Sequence, residues 1–317
     1  MLENFKRLLT ESLNVDEQVA LLKTLPGVGI SAHELAAAAT FVLDQSIAVP
    51  FHDDSIVDIV GTGGDNSNTF NISTTAAFIV AGSGIKVAKH GNRAVTSRSG
   101  GFDLLQALDI DIPEEPAQAL AQLQAHGLTF LFAPFFHPSF KRISEARKIL
   151  ASEKKKTVFN FLGPLVNPGR VKRAAIGVFD SGLIKPFIEA LKELGFIKAM
   201  VFHGNGMDEL SLSGTDKMAV LDHDRIYYQS ITADDLGLMK CEREDLIGGD
   251  ASDNAAITRA ILSGEEQGAK RDVVLLNAAA AISVGSTMNL VQAIESARNS
   301  IDTGRALAKL NALSKPA

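Results

Sequence analysis

The chain has 317 residues, 46% of them hydrophobic, and its 31 lysines and arginines against 37 aspartates and glutamates give a net charge of −6. That length suits one large core, or a large domain with a smaller one, and the acidic balance excludes a general basic field for nucleic acid or an anionic membrane. A single cysteine, Cys241, permits no internal disulfide, the N-terminal MLENFKRLL lacks a signal-peptide apolar core, and no apolar run approaches a membrane span, which together predict a soluble cytoplasmic protein.

The first predicted element is helical. From Asn4 to Leu25, Phe5, Leu8, Leu9, Val19 and Leu22 fall at helical spacing, and Ser31 with Glu34 has capping-box form ahead of a helix over Leu35 to Leu43. Ile56 to Val60 then reads as a short strand. It opens into Gly61, Thr62, Gly63, Gly64 and Asp65, where glycines permit positive φ and let backbone N–H groups approach a ligand closely. Asn66 in that loop suits the same region, because asparagine also visits the left-handed conformation. Asn71 and Ser73 occupy capping positions before a small apolar helix over Thr75 to Gly82, whose N-terminus would aim unpaired donors at an anion.

A second strand, Ile85 to Ala88, leads to Lys89, His90, Gly91, Asn92 and Arg93, with hydroxyls following at Thr96, Ser97 and Ser99. Further strands are predicted over Leu128 to Phe132, Ala174 to Phe179 and Ala199 to His203, with a hairpin pairing Met218 to Leu221 and Arg225 to Ser230. From Ser252 onward the pattern is helical again. Such alternation predicts an α/β fold with a mainly parallel central sheet, helices packed around it, and ligand loops at the strands' carboxyl ends.

Each glycine turn alone is compatible with ordinary strand-to-helix packing, and the first matches neither GxxxxGK[ST] nor GxGxxG. Taken in order, GTGGD, NIST and KHGNR between Gly61 and Arg93 closely resemble the anthranilate phosphoribosyltransferase family. The resemblance continues in LTFLFAPFFHPSFKRISEARK (Leu128 to Lys148), TVFNFLGPLVNPGR (Thr157 to Arg170) and HGNGMDELS (His203 to Ser211), and in the C-terminal GGDASDNAAITRAILSG and VVLLNAAAAISVG. Nearly the whole chain takes part.

The resemblance implies transfer of a phosphoribosyl group from 5-phospho-α-D-ribose 1-diphosphate (phosphoribosyl diphosphate) to anthranilate, giving N-(5-phosphoribosyl)anthranilate and diphosphate in tryptophan biosynthesis. It implies a small all-helical domain, residues 1–48 with about 113–150, and a larger α/β domain, 49–112 with about 151–317, with the active site in the cleft between them. It also implies a homodimer and two Mg²⁺ ions per subunit. Carried over residue by residue, Gly61, Gly64, Asp65, Thr69, Asn71, Ile72, Ser73 and Thr74 would contact phosphoribosyl diphosphate. Lys89, the main cation, with His90, Gly91, Asn92, Arg93, Ala94, Val95, Thr96, Ser97 and Gly101, would form the second wall of that site. Gly61, Asn92 and Arg147 would meet anthranilate, the arginine suiting its carboxylate by bidentate pairing. Ser73, Asp208 and Glu209 would hold magnesium.

On spacing alone, Asp208 and Glu209 form an ordinary acidic turn; the resemblance is what makes them metal ligands. His90 reads either as a general base, its usual pKa lying near neutrality, or as a residue that shapes the aromatic pocket. His137, between Phe136 and Pro138, reads as a pocket or packing residue, and no histidine spacing suggests zinc. The chain departs from the family in a longer link between Arg147 and Thr157, with Lys156 where the family has arginine, and in Leu25 to Ser31. Lys154 to Lys156 reads first as a solvated helix end, with steering of a diphosphate as the minority alternative, and Gly101 stands where the family often has serine or alanine. Two other functions remain open: a pyrimidine nucleoside phosphorylase of the same fold, which would need no acidic pair for a metal diphosphate, and a catalytically silent relative that binds nucleic acid.

Overall fold

The computed structural model describes residues 1–94 and 98–315. Seven strands, β1 Val57–Gly61, β2 Val87–Gly91, β3 Leu128–Phe132, β4 Arg173–Gly177, β5 Lys198–Gly204, β6 Thr215–Asp222 and β7 Arg225–Thr232, form one sheet in the order β3-β2-β1-β4-β5-β6-β7. The first five run parallel, and β6 and β7 complete the edge as the expected antiparallel hairpin. From β1 the chain winds outward to β3, then returns to β4 on the other side of β1 and winds the opposite way. The winding reverses between β1 and β4, and it is outside the carboxyl ends of such a strand pair that α/β sheets bind ligands.

The helical cover follows from the apolar patterns. α1 Leu2–Thr10, α2 Val15–Thr24 and α3 Ala32–Asp44 precede the sheet. The helical stretch expected over Asn4 to Leu25 is broken in two, because Asn14 caps α2 through a reciprocal capping box with Glu17; the Ser31–Glu34 box starts α3 as expected. The remaining helices are α4 Ile72–Gly82, α5 Gly101–Ala107, α6 Pro116–His126, α7 Ala133–Phe136, α8 Ser144–Ser152, α9 Ile184–Glu193, α10 Ala251–Ser263, α11 Ala269–Gly285, α12 Leu290–Asp302 and α13 Arg305–Leu313.

On one face of the sheet α4 and α10 to α13 enclose a core that includes Phe78, Leu275, Leu276, Ile294 and Leu310. On the other, α9 and the N-terminal helices bury Phe5, Leu22, Leu35, Val42, Phe187 and Leu191 against Ile176 of β4. α4 and α11 are buried on nearly every side, which is why their sequences are apolar throughout instead of striped. Among the described residues no single helix is long and apolar enough to cross a membrane.

One boundary differs from the sequence reading in a way that matters for function. β2 does not stop at Ala88: Lys89, His90 and Gly91 continue the strand, paired in register with Phe130, Leu131 and Phe132 of β3. The apolar β3 holds that register, so two polar side chains enter the sheet interior at its carboxyl end, where charge alone suggested a loop.

Candidate active site

The loop after β5 settles directly on the carboxyl ends of β1 and β4. Gly61 and Gly177 are register partners there. A Cβ at Gly61 would lie 2.2 Å from Asp208 Oδ2, and one at Gly177 would lie 1.7 Å from the Asp208 carbonyl oxygen, so both strands must end in glycine for the acidic loop to approach. Asp208 Oδ2 accepts the Gly63 backbone N–H at 2.6 Å, and the Asp208 N–H donates to Asp65 Oδ2 at 3.3 Å. Gly63 and Gly64, at φ 69° and 79°, bend the first glycine loop into this contact. Asn66 takes φ 56°, as its residue type allows.

Glu209 reaches the start of α4. Its Oε1 accepts the Ser73 backbone N–H at 3.2 Å, so a carboxylate from another loop caps this helix. Asn71 occupies the N-cap position without capping; its side chain turns to Ser99, donating through Nδ2 to the Ser99 carbonyl at 3.1 Å. Lys89 enters from β2, buried, and its Nζ donates to the Ile59 carbonyl and to Ser73 Oγ, the latter at 3.3 Å.

The electrostatics are those of a crowded acidic cradle around one buried cation. Burial, with Asp65 and Glu209 close by, holds the Asp208 carboxyl well above its ordinary range, and burial pushes Glu209 up to about 7 against the pull of Lys89. Burial also lowers the Lys89 ammonium, opposed by Asp58, Glu209 and Asp208. Asp58, buried in β1, accepts the His90 backbone N–H at 3.2 Å and Asn167 Nδ2 at 2.8 Å, and burial raises it to about 6. A divalent cation would relieve the repulsion among Asp65, Asp208 and Glu209, and hydroxyl plus carboxylate oxygens are the donors Mg²⁺ takes. Among the described residues no group of three or more histidines, cysteines, aspartates or glutamates is arranged to hold a metal by itself. An ion bound here would draw the rest of its ligands from substrate and water, as Mg²⁺ commonly does.

The second wall is held by an aspartate that the sequence reading passed over. Asp103 Oδ2 accepts the backbone N–H groups of both Ala94 and Gly100 at 2.9 Å, tying the two ends of the loop after β2 to the first turn of α5. Within this loop Asn92 is exposed, and Arg93 sits 5.8 Å from the Phe132 ring centre. Val95, Thr96 and Ser97 lie outside the described residues. Gly101 abuts Thr74, whose Oγ1 would be 2.8 Å from a Cβ at that position, so the residue that replaces the family's serine or alanine sits close against the first wall.

A row of rings connects this wall to Arg147. His90 meets His137 edge-on at 5.1 Å, His137 stacks on Phe140 at 5.4 Å, and Phe140 meets Phe159 at 5.9 Å. Arg147, on α8, lies 5.9 Å from the Phe159 ring centre and donates to the Phe159 carbonyl at 3.1 Å. Among the described residues it has no carboxylate partner, and it makes no hydrogen bond to Gly61 or Asn92. Burial pushes its guanidinium pKa down. The buried His90 and His137 are driven to about 3 and about 4 by desolvation, and His90 Nδ1 lies 3.1 Å from the Gly163 carbonyl. His90 is therefore a neutral imidazole that donates from Nδ1.

The lysine run divides three ways. Lys154, at φ 56°, ends α8; Lys155 reaches the Lys23 carbonyl; and Lys156, exposed, reaches across to the first glycine loop, donating to the Gly64 carbonyl at 2.6 Å with its ammonium 3.5 Å from the Phe179 ring centre. All three lysines are exposed, as a solvated helix end requires, and Lys156 also reaches the first glycine loop. Asp58, Asp103 and Gly177 are thus residues of the site that local sequence patterns did not single out. In the sequence Gly177 lay inside the strand expected over Ala174 to Phe179; the structure ends that strand at Gly177.

Known proteins resemble this chain along nearly its whole length. Residues 53–307 match the glycosyl transferase family, a/b domain. The anthranilate phosphoribosyltransferase of Lacticaseibacillus paracasei is 42% identical over 98% of this chain and 92% of its own length, and that of Xanthobacter autotrophicus is 43% identical over 98% and 89%. Among solved structures, the Thermus thermophilus anthranilate phosphoribosyltransferase superposes with a TM-score of 0.90 at 35% identity, covering 98% of this chain and 92% of that one. The Saccharomyces cerevisiae enzyme in complex with PRPP and Mg gives a TM-score of 0.85 at 30% identity, covering 98% and 89%. With the glycine loops, the acid pair and the switch-point crevice in place along its whole length, the chain belongs to the anthranilate phosphoribosyltransferase family.

Proposed function

We propose that this crevice transfers the phosphoribosyl group of phosphoribosyl diphosphate to the amine of anthranilate, releasing diphosphate, in tryptophan biosynthesis. The observation that carries the assignment of residues is the pair Asp208 and Glu209, the first half-buried and the second buried at the switch point, bonded to both the first glycine loop and the start of α4. The yeast relative's complex with PRPP and Mg supports magnesium use. In this reading Ser73, Asp208 and Glu209 hold two Mg²⁺ ions with the diphosphate. Bound there, magnesium would neutralise charge on the departing diphosphate.

The chain's own residues supply the rest. Gly61, Gly64, Asp65, Thr69 and Asn71 to Thr74 line the diphosphate with backbone donors and hydroxyls at the N-terminus of α4. Lys89 and the wall from His90 to Ser97, with Gly101, hold the phosphoribosyl end. Arg147, without a carboxylate of its own, pairs with the carboxylate of anthranilate, and Gly61 and Asn92 complete the acceptor site. The anthranilate amine is already neutral, so positioning and charge stabilisation dominate, and the low basicity of His90 favours its pocket-shaping role over proton abstraction. The 113–150 segment expected in the small helical domain is divided, because β3 Leu128–Phe132 lies in the central sheet and α8 packs with the N-terminal helices; we take α1 to α3 with α8 as the helical body, and the protein as a cytoplasmic homodimer.

The test is consumption of anthranilate, read as falling fluorescence, on adding phosphoribosyl diphosphate and Mg²⁺ to the purified protein. Steady consumption is expected. Absence of consumption, with phosphorolysis of uridine in its place, would assign the fold's phosphorylase chemistry instead.

A further inference from the structure

We propose that Asn254, on α10 and outside the crevice, is a positioning residue that fixes the Asn71 amide for the diphosphate substrate. The inference rests on the reading that Asn71 contacts that substrate. Asn254 is 1% exposed, and its two amide ends face different partners. Its Oδ1 accepts the Gly249 backbone N–H at 2.9 Å, and its Nδ2 donates to Asn71 Oδ1 at 3.0 Å. Asn71 Nδ2 in turn donates to the Ser99 carbonyl at 3.1 Å, while Ser99 Oγ donates to Asn71 Oδ1 at 3.2 Å.

Both ends of this chain are backbone groups whose chemistry is fixed. A backbone N–H can only donate, so the Asn254 oxygen must face Gly249 and its nitrogen must face Asn71. The Asn71 oxygen must then face Asn254, and its nitrogen must face the carbonyl of Ser99. No amide in the chain can turn over without placing donor against donor or acceptor against acceptor. The Asn71 N–H₂ is thereby presented to the second loop and the ligand side, and its oxygen is withdrawn from an incoming anion.

One turn further along, the same helix face makes a second contact that holds no amide. Thr258 Oγ1 lies 2.9 Å from Thr75 Oγ1, both buried, so residues 254 and 258 of α10 meet residues 71 and 75 of α4. This second rung separates a positioning role from plain packing. Asn254→Asp keeps the acceptor for Gly249 but sets a carboxylate oxygen against Asn71 Oδ1, which favours the flipped Asn71 amide. Thr258→Val removes the second rung and leaves the amide chain intact.

Steady-state kinetics and thermal melting of the full chain test the proposal. Asn254→Asp is expected to raise KM for phosphoribosyl diphosphate about tenfold, the scale of one charge-assisted hydrogen bond, with KM for anthranilate unchanged. Thr258→Val should lower Tm and leave both KM values alone, and Asn71→Ala combined with Asn254→Asp should be no worse than Asn71→Ala. Asn254→Ser, which keeps a small polar group but cannot span both partners, is measured beside it and should show the same KM shift if the aspartate variant does not fold. A normal KM for phosphoribosyl diphosphate in the folded Asn254 variants, or additive losses in the double variant, overturns the inference. A normal KM in Asn71→Ala itself overturns it together with the placement of Asn71 on which it rests.

Discussion

Replacing Gly177 with alanine tests the seating of the acidic loop without touching any proposed ligand. The added Cβ would stand 1.7 Å from the Asp208 carbonyl oxygen and 2.4 Å from its carbon, where ordinary contact begins at 3.4 Å, so the loop backbone must retreat by about 1.7 Å. Gly177 is central in a parallel sheet, between Gly61 of β1 and Phe202 of β5, and cannot yield in its place. Overpacking of this kind costs ~1–3 kcal/mol of stability. The functional cost should be larger: Mg²⁺ holds its ligands at about 2.0–2.1 Å in near-octahedral geometry, and displacing a positioning group by about 1 Å can cost on the order of 100-fold in rate. Anthranilate consumption followed across a magnesium titration should therefore show a midpoint raised at least about tenfold and a maximal rate lowered by about 100-fold. Gly29→Ala, whose Cβ would meet nothing within 4 Å, is the matched control and should behave as wild type. A folded Gly177→Ala protein with a wild-type magnesium midpoint would refute the claim that the strand end seats the acid loop.

Other outcomes follow from the same geometry. Arg147→Ala should weaken use of anthranilate by about tenfold or more with little change for phosphoribosyl diphosphate; equal loss for both substrates would mean that the link to Thr157 places the arginine elsewhere. Lys156→Met removes the donor to the Gly64 carbonyl and the cation over Phe179, and should raise KM for phosphoribosyl diphosphate roughly threefold to tenfold; an unchanged KM would remove this exposed lysine from the site. Acid stability should carry the mark of the buried histidines. The folded pKa of His137 lies near 4 against an ordinary 6.5, so its contribution is intact above about pH 6.5 and is lost as pH falls toward 4. At pH 5 that loss amounts to ~2 kcal/mol. His137→Phe should flatten this limb of the unfolding free energy measured between pH 7 and pH 5; an equally steep limb in the variant would remove His137 from the account.

Much of the fold was legible because its signals are local. The apolar run Leu128–Phe132 is a strand to the residue, the Ser31–Glu34 box starts a helix, and the 218–221 and 225–230 segments pair as a hairpin. GTGGD, NIST, KHGNR and GMDE likewise carry the family resemblance in short strings, and the structure brings the first, second and last into direct contact through Gly63, Ser73, Asp208 and Glu209. What stayed hidden depends on distant partners. Lys89 and His90 look like loop residues until β3 pairs with them, and Asn71 looks like a helix cap until Glu209, 136 positions beyond Ser73, takes the cap and leaves the amide to Ser99 and Asn254. Gly177 is one small residue at a strand end until Asp208 descends on it. Lys156 belongs to a basic run that faces solvent throughout, and only its reach to Gly64 distinguishes it.

The most direct test of the account is the magnesium dependence of phosphoribosyl transfer in Asp208→Asn combined with Glu209→Gln. Both replacements keep size and hydrogen-bonding capacity but remove the charge, so the protein should melt at or above the wild-type temperature, because burial penalises the charged forms of both acids. It should also consume anthranilate at a rate near background at any magnesium concentration. A folded double variant that transfers phosphoribosyl to anthranilate with wild-type dependence on magnesium would contradict the assignment of this pair to the metal and the diphosphate.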